Sequence, residues 1–151
     1  MKAAWYEKQG APKDELILGQ MDDPQPGAGE VRIRVAFSGV NPGDVKKRED
    51  AFGVGMPYPR VIPHSDGSGT VDAVGDGVSR EWVGRRVWCY GAQSYRPFGT
   101  AAEYTVVPLQ QAVKLLEGVP RQVANTRFAC TFYLFVNAAI YALCLKNRLA
   151  A

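Results

Sequence analysis

"EVRIRVAFSGV", Glu30 to Val40, is the stretch on which the reading of this chain turns. Val31, Ile33, Val35 and Phe37 alternate with Arg32 and Arg34, which places the apolar set on one face and the arginines on the other. A period of two predicts a half-buried β-strand and not a helix. Working outward, more short runs appear, punctuated by Gly and Pro. "MKAAWY" reads as an opening strand and "ELILGQM" as a second, before the turn-rich "DDPQPGAGE". "GTVDAVG", "VGRRVWCY", "TAAEYTVVP" and "QAVKL" continue the series. Many short strands with little helix predict a mainly β domain, an antiparallel barrel or sandwich. "NPGDVKKRED" is the exception. Pro42 suits a first helical turn and Asp44 the positive helix start, so a helix of about two to three turns is expected from Pro42.

A second stretch, "RVIPHSDGSGTVDAVGDGV" from Arg60 to Val78, holds the chain's single histidine, His64, and an acid at Asp66. It reads as a metal site, a catalytic pair or a bend between strands. A catalytic zinc takes about three protein ligands with nitrogen, sulfur or carboxylate donors. One histidine, one aspartate and no nearby cysteine fall short of that, which favours the bend. Gly67 and Gly69 are then read as allowing close backbone approach, and Gly75 and Gly77 as taking positive φ around Asp76. "GDGVSR" lacks the third glycine and the strand-to-helix setting of a dinucleotide loop, so it reads as a hairpin turn.

At 151 residues the chain is long enough to bury one core without disulfide or metal staples. The net charge of +3 is small, and the densest basic run, Lys46-Lys47-Arg48, is followed at once by Glu49 and Asp50. A solvated helical turn accounts for that run, so no nucleic-acid partner is expected. Three cysteines without a CxxC pair fit a reducing compartment. "MKAAWYEKQGA" has no apolar core of signal-peptide length, so a cytoplasmic location is expected. Past Ala124 the composition changes. "FACTFYLFVNAAIYALCL", residues 128–145, runs eighteen residues without a charge, the lower edge of a membrane span. It reads either as a buried helix that packs on something or as a membrane-inserting segment. The chain accordingly divides into a domain at 1–124 and an apolar helical tail at 125–151.

"PGAGEVRIRV", "SGVNPGD" with Arg48 shortly after, "IPHSDGSGTVDAVGDGV", "VGRRVW" and "GTAAEYTVVP" also carry a resemblance. In this order and spacing, over about residues 1–118, the chain resembles the medium-chain dehydrogenase/reductases, in their zinc-free quinone oxidoreductase (zeta-crystallin-like) branch. The resemblance implies a GroES-like, partly open β-barrel catalytic domain. In that family it is followed by a Rossmann domain that binds the nicotinamide cofactor. Here the apolar tail stands in that place, so a truncated chain, inactive alone, is expected.

The implied activity is NADPH-dependent reduction of a quinone or enone, with no zinc. The slots that hold zinc in relatives carry Asn41, Ser65 and Asp66 here, and His64 falls one position early, where the family usually has glycine. The resemblance places Asn41 in the cleft near the nicotinamide and the acceptor carbonyl, where a carboxamide both donates and accepts without a charge to desolvate. The same residue reads equally well as a helix N-cap. Lys46 stands where relatives often carry Tyr. It is a candidate for attracting cofactor phosphate, with plain exposure as the alternative. Arg48 matches a family arginine that would hold the helix against the barrel. Phe52, Tyr58 and His64 are the substrate-cleft candidates, and a core contact is the alternative for Phe52. A homodimer is compatible with this reading. The rivals are a non-catalytic binding module and a membrane-tethered fragment, each acting through the apolar tail.

Overall fold

The computed structural model describes residues 1–94 and 96–118. Lys2–Trp5 (β1) and Ile17–Gln20 (β2) pair antiparallel as a two-stranded sheet, with Trp5 opposite Ile17. The second strand starts at Ile17 and not at Glu15, because Pro12–Glu15 forms a single turn of helix (α1). Pro12 presets that turn, since its ring fixes φ where the missing N–H goes unneeded. The alternating stretch becomes Glu30–Gly39 (β3), and Pro42–Arg48 (α2) is the expected helix, seven residues long.

Asp66–Val74 (β4), Arg86–Cys89 (β5), Tyr104–Pro108 (β6) and Ala112–Lys114 (β7) complete the set. The order in the five-stranded sheet is β6-β3-β4-β5-β7, every pair antiparallel. β6 and β7 stand at its two ends, so the sheet curls as a half-barrel without closing on itself. Isolated bridges Ala3↔Ala102, Tyr6↔Val61 and Ile62↔Phe98 fasten the outlying segments to one another. This is the mainly β domain that the strand pattern predicts, in the partly open barrel form that the resemblance implies.

The core confirms the alternation over half of β3 and then departs from it. Val31 and Ile33 are fully buried with Val71, Val87, Cys89 and Val107. Val35 is only half-buried and Phe37 is 38% exposed. The register explains the break. Ile33 pairs with Val71 and Val35 with Gly69, but the next partners are Phe37 and Ser68, so Ala36 is one residue too many. Such a bulge re-aims the side chains that follow it. A second cluster, Ala3, Trp5 and Ile62, packs with Met1, Met21, Ala101 and Ala102 under the small sheet.

The glycine stretch is a strand more than a bend. Gly67 and Gly69 lie inside β4, and a Cβ on Gly69 would stand 2.0 Å from the Arg34 carbonyl oxygen of the neighbouring strand. Only Gly77 of the next pair takes positive φ, at 78°. Gly75 is instead required by contact, since its Cβ would fall 1.7 Å from the Gly27 oxygen. Nor is "GDGVSR" a tight hairpin. A short 3-10 turn, Arg80–Trp82, separates β4 from β5, and the Ser79 hydroxyl accepts the Glu81 N–H at its start. The tail expected at 125–151 and the end of the domain expected at 1–124 lie outside the described residues. Among the described residues no helix is long and apolar enough to cross a membrane.

Candidate functional site

Two chain ends meet to make the site. β3 finishes at Gly39, paired with Asp66 at the first position of β4, and Asn41 follows in extended conformation as the N-cap of α2. The Asn41 backbone N–H donates to the Asp44 carboxylate at 2.8 Å, which satisfies one donor at the helix entrance. The Asn41 side-chain amide donates to Asp66 Oδ2, also at 2.8 Å. Asn41, Asp44 and Asp66 are 8%, 6% and 2% exposed, so the pattern places a carboxamide between two buried carboxyl groups. Arg48 closes the far end of α2. Its guanidinium donates to the Gly10 carbonyl and to Glu49, and Gly10 N–H returns a bond to Arg48 O at 2.9 Å. It thus holds the helix down against the loop before α1.

Burial sets the charges here. It pushes the Asp66 carboxyl up to about 6, opposed by the Asn41 hydrogen bond and the Lys47 charge and assisted by the Asp44 charge. Asp44 is also raised, by burial above all, against the bond from Asn41 and the charges of His64 and Lys47. Burial lowers His64, with Asp44 pulling the other way. Two acceptors are left without partners among the described residues, Asn41 Oδ1 and Asp66 Oδ1. An unsatisfied buried acceptor costs about 1–3 kcal/mol, so the pair marks a place where a donor would be well received.

His64 is linked to the backbone carbonyl of the same aspartate through two hydroxyls. Its φ of 74° is in the left-handed region that glycine favours. Its carbonyl accepts the Thr100 N–H at 2.9 Å, next to Gly99, where a Cβ would be 2.0 Å from that oxygen. His64 Nδ1 lies 2.7 Å from Ser38 Oγ, and Ser38 Oγ lies 2.8 Å from Thr100 Oγ1. Thr100 donates to the Asp66 carbonyl at 2.6 Å. Ser38 and Thr100 also line a groove of about 640 Å³ between β1, β2 and β3, with Ala3, Leu18 and Val35 on its apolar wall.

Of the residues singled out from the sequence, Asn41 bonds the Asp66 side chain directly and His64 is joined to the Asp66 backbone through Ser38 and Thr100. Asn41 fulfils the N-cap reading. Lys46 does not join them. It is exposed, and its side chain joins none of the hydrogen bonds or ion pairs of this site. Lys47 turns inward instead, donating to Gln93 Oε1 at 2.7 Å, because it is three residues from buried Asp44 and shares its helix face. Phe52 is 57% exposed, which removes the core alternative for it, and Tyr58 is half-buried in the loop that follows. Ser38 and Thr100 escaped the sequence reading, since they are 62 residues apart and each is an ordinary strand or loop hydroxyl when read alone. Among the described residues no three or more His, Cys, Asp or Glu are gathered to hold a metal ion. Asn41 and Ser65 offer no charge there, and Ser65 is buried with its carbonyl engaged by Ala92 N–H at 2.8 Å.

Comparison with known proteins agrees with the fold. The model of the alcohol dehydrogenase GroES-like domain family matches residues 27–117. The quinone oxidoreductase of Mus musculus is 33% identical over 122 residues, 78% of this chain and 36% of that protein. The solved quinone oxidoreductase of Pseudomonas syringae pv. Tomato DC3000 superposes with a TM-score of 0.75 at 28% identity, covering 86% of this chain and 38% of that one. A mycobacterial protein solved in complex with NADPH gives a TM-score of 0.73 at 30% identity, covering 83% of this chain and 37% of that one. The chain therefore spans under two-fifths of the length of these relatives.

Proposed function

The chain belongs to the alcohol dehydrogenase GroES-like domain family, within the medium-chain dehydrogenase/reductase superfamily, and on that premise we propose that it serves an NADPH-dependent oxidoreductase acting on a quinone or enone. The observation that carries this reading is the state of Asn41. Its backbone N–H and its side-chain amide are both committed, to Asp44 and Asp66, while its buried Oδ1 is left open. A nicotinamide ring carries an N–H₂ donor on its carboxamide, which is the kind of partner such an oxygen needs. Hydride chemistry belongs to the cofactor, and the protein supplies orientation and polarity.

The described residues fit the nicotinamide end of such a cofactor. Its pyrophosphate calls for glycine-loop amides at a helix start. The described helices are four and seven residues long and follow no such loop, so that contact is assigned to other residues. A zinc-free site is supported by the neutral groups in two of the three family slots, Asn41 and Ser65. In this reading Lys46 is an exposed cation available to a phosphate, and Phe52 and Tyr58 flank the acceptor beside His64. A cytoplasmic location goes with it.

The test joins the full chain ahead of the part of the NADPH-bound mycobacterial relative that this chain does not cover, and follows NADPH oxidation with 1,4-benzoquinone. Quinone-dependent oxidation is expected. Asn41→Ala is expected to lower the rate about 100-fold through lost orientation, and Lys46→Ala much less. A joined protein that folds, binds NADPH and oxidises none of it with quinone present refutes the reading.

A further inference from the structure

Resting on that reading, we infer that His64 is the residue that exchanges a proton with the oxygen of the bound carbonyl substrate, held for this as its Nδ1–H tautomer by Ser38, Thr100 and the Asp66 carbonyl.

Counting protons along the chain of bonds fixes its direction. Thr100 Oγ1 lies 2.6 Å from the Asp66 carbonyl oxygen, which has no proton to give, so Thr100 is the donor. Its single proton is then spent. The 2.8 Å contact between Ser38 and Thr100 must be filled by the Ser38 proton. Ser38 in turn can only accept at its 2.7 Å contact with His64, which makes Nδ1 the donor. The run reads His64 Nδ1–H to Ser38, Ser38 O–H to Thr100, Thr100 O–H to Asp66 C=O.

Two properties follow. The nitrogen left over is Nε2, which accepts in neutral imidazole and donates in imidazolium. Moreover, Nδ1 carries its proton in both forms, so Nε2 can gain or lose one while every bond in the run keeps its direction. This is the same logic by which a group bonded to one ring nitrogen sets the role of the other. The ring is half-buried, and the backbone behind it is held by the Thr100 N–H bond at 2.9 Å. Burial holds the ring below the usual imidazole range, while the Asp44 charge pulls the other way, toward the imidazolium, which is the form that gives the proton away.

The step balances. Reduction of a quinone takes one hydride, supplied by the dihydronicotinamide, and one proton. The hydride forms a C–H bond at a substrate carbon conjugated to the carbonyl, the π pair moves onto the substrate oxygen, and imidazolium Nε2–H gives its proton to that oxygen. The adduct tautomerises to the hydroquinone, leaving the oxidised nicotinamide and neutral His64, which takes its next proton from solvent. Ser38 and Thr100 touch no reacting atom and are positioning residues.

His64 is the chain's only histidine, so ¹⁵N labelling of histidine gives one imidazole and no assignment ambiguity. In the full chain, the neutral form is expected to show the Nδ1–H tautomer, and Ser38→Ala to move it toward Nε2–H, while Ser38→Thr keeps it. An Nε2–H tautomer in the wild-type chain overturns the inference, whether or not any variant folds. In the joined protein, hydroquinone is expected to shift the Nε2 resonance and leave Nδ1 in place. His64→Asn, a residue that tolerates the left-handed backbone, is expected to lower kcat about 100-fold with little change in KM. Unchanged kcat in that variant, or an unmoved Nε2 resonance in a protein that turns over quinone, refutes the acid–base role. Absence of turnover in the wild-type joined protein refutes the reductase reading instead, and the tautomer of the chain is read independently of it.

Discussion

Replacing Asp66 by Asn should make this protein more stable at neutral pH. The carboxyl is 2% exposed, and its carboxylate is met by one hydrogen bond, from Asn41, while its other oxygen has no partner. Burial raises it from 3.8 to about 6 in the folded chain. The folded state therefore binds this proton more tightly than the unfolded state does. Between about pH 4 and pH 6 the native form holds more protons, so stability falls as pH rises through that window and the ionised group is a net cost above it. The raised value corresponds to about 3 kcal/mol at pH 7, taken as a ceiling. Asp66→Asn keeps an acceptor for the Asn41 amide and removes the charge. It should gain about 2 kcal/mol at pH 7 and nothing at pH 4. The assay is urea unfolding followed by tryptophan fluorescence at a series of pH values, with Trp5, Trp82 and Trp88 as reporters. Asp44 is also raised by burial and titrates in the same sense, so the variant's pH slope should shrink without vanishing. An Asp66→Asn protein no more stable than wild type at pH 7, with an unchanged slope from pH 4 to 6, refutes the reasoning.

Two glycines should respond in opposite directions to alanine. At Gly69 the new Cβ would meet the Arg34 carbonyl at 2.0 Å, so Gly69→Ala should lose about 3 kcal/mol or fail to fold in the same urea titration. At Gly43, inside α2 with nothing within 4 Å, Gly43→Ala should gain about 0.5–1 kcal/mol. Arg48→Met should cost about 2–3 kcal/mol, by stranding the Gly10 carbonyl that the guanidinium now satisfies, and thermal unfolding by circular dichroism reads it. The Cys89 thiol is pushed up to about 12 by burial, so peptide mapping after iodoacetamide should find Cys89 unmodified in the native chain and alkylated in urea.

What the sequence discloses here is what depends on local period and on single-residue chemistry. Val31 and Ile33 declare the strand because each alternate residue meets the same core. Pro42 and Asp44 declare α2 because helix entrances have their own chemistry. Asn41 is legible as the cap for the same reason. What stays hidden is whatever needs two strands at once. The surplus of Ala36 is defined only against Ser68 on the neighbouring strand, so the exposure of Phe37 could not be read from β3 alone. The choice of Lys47 over Lys46 needed the burial of Asp44 as a phase marker. The run from His64 to Ser38 to Thr100 joins three segments, and no local pattern announces it.

The bulge at Ala36 gives β3 one residue of slack. The pairs on either side of it, Val35 with Gly69, Phe37 with Ser68 and Ser38 with Gly67, take consecutive partners on β4. Loss of Ala36 would therefore leave a regular ladder with every pair, and every face, as before. Loss of a residue from the regular part of the strand is different, because side chains alternate with period two and a one-residue slip turns them to the opposite face. Length is free at one position of this strand and fixed at the others. Lineages that carry Ser38 and His64 together should be expected to vary in residue count at the bulge sooner than between Val31 and Val35.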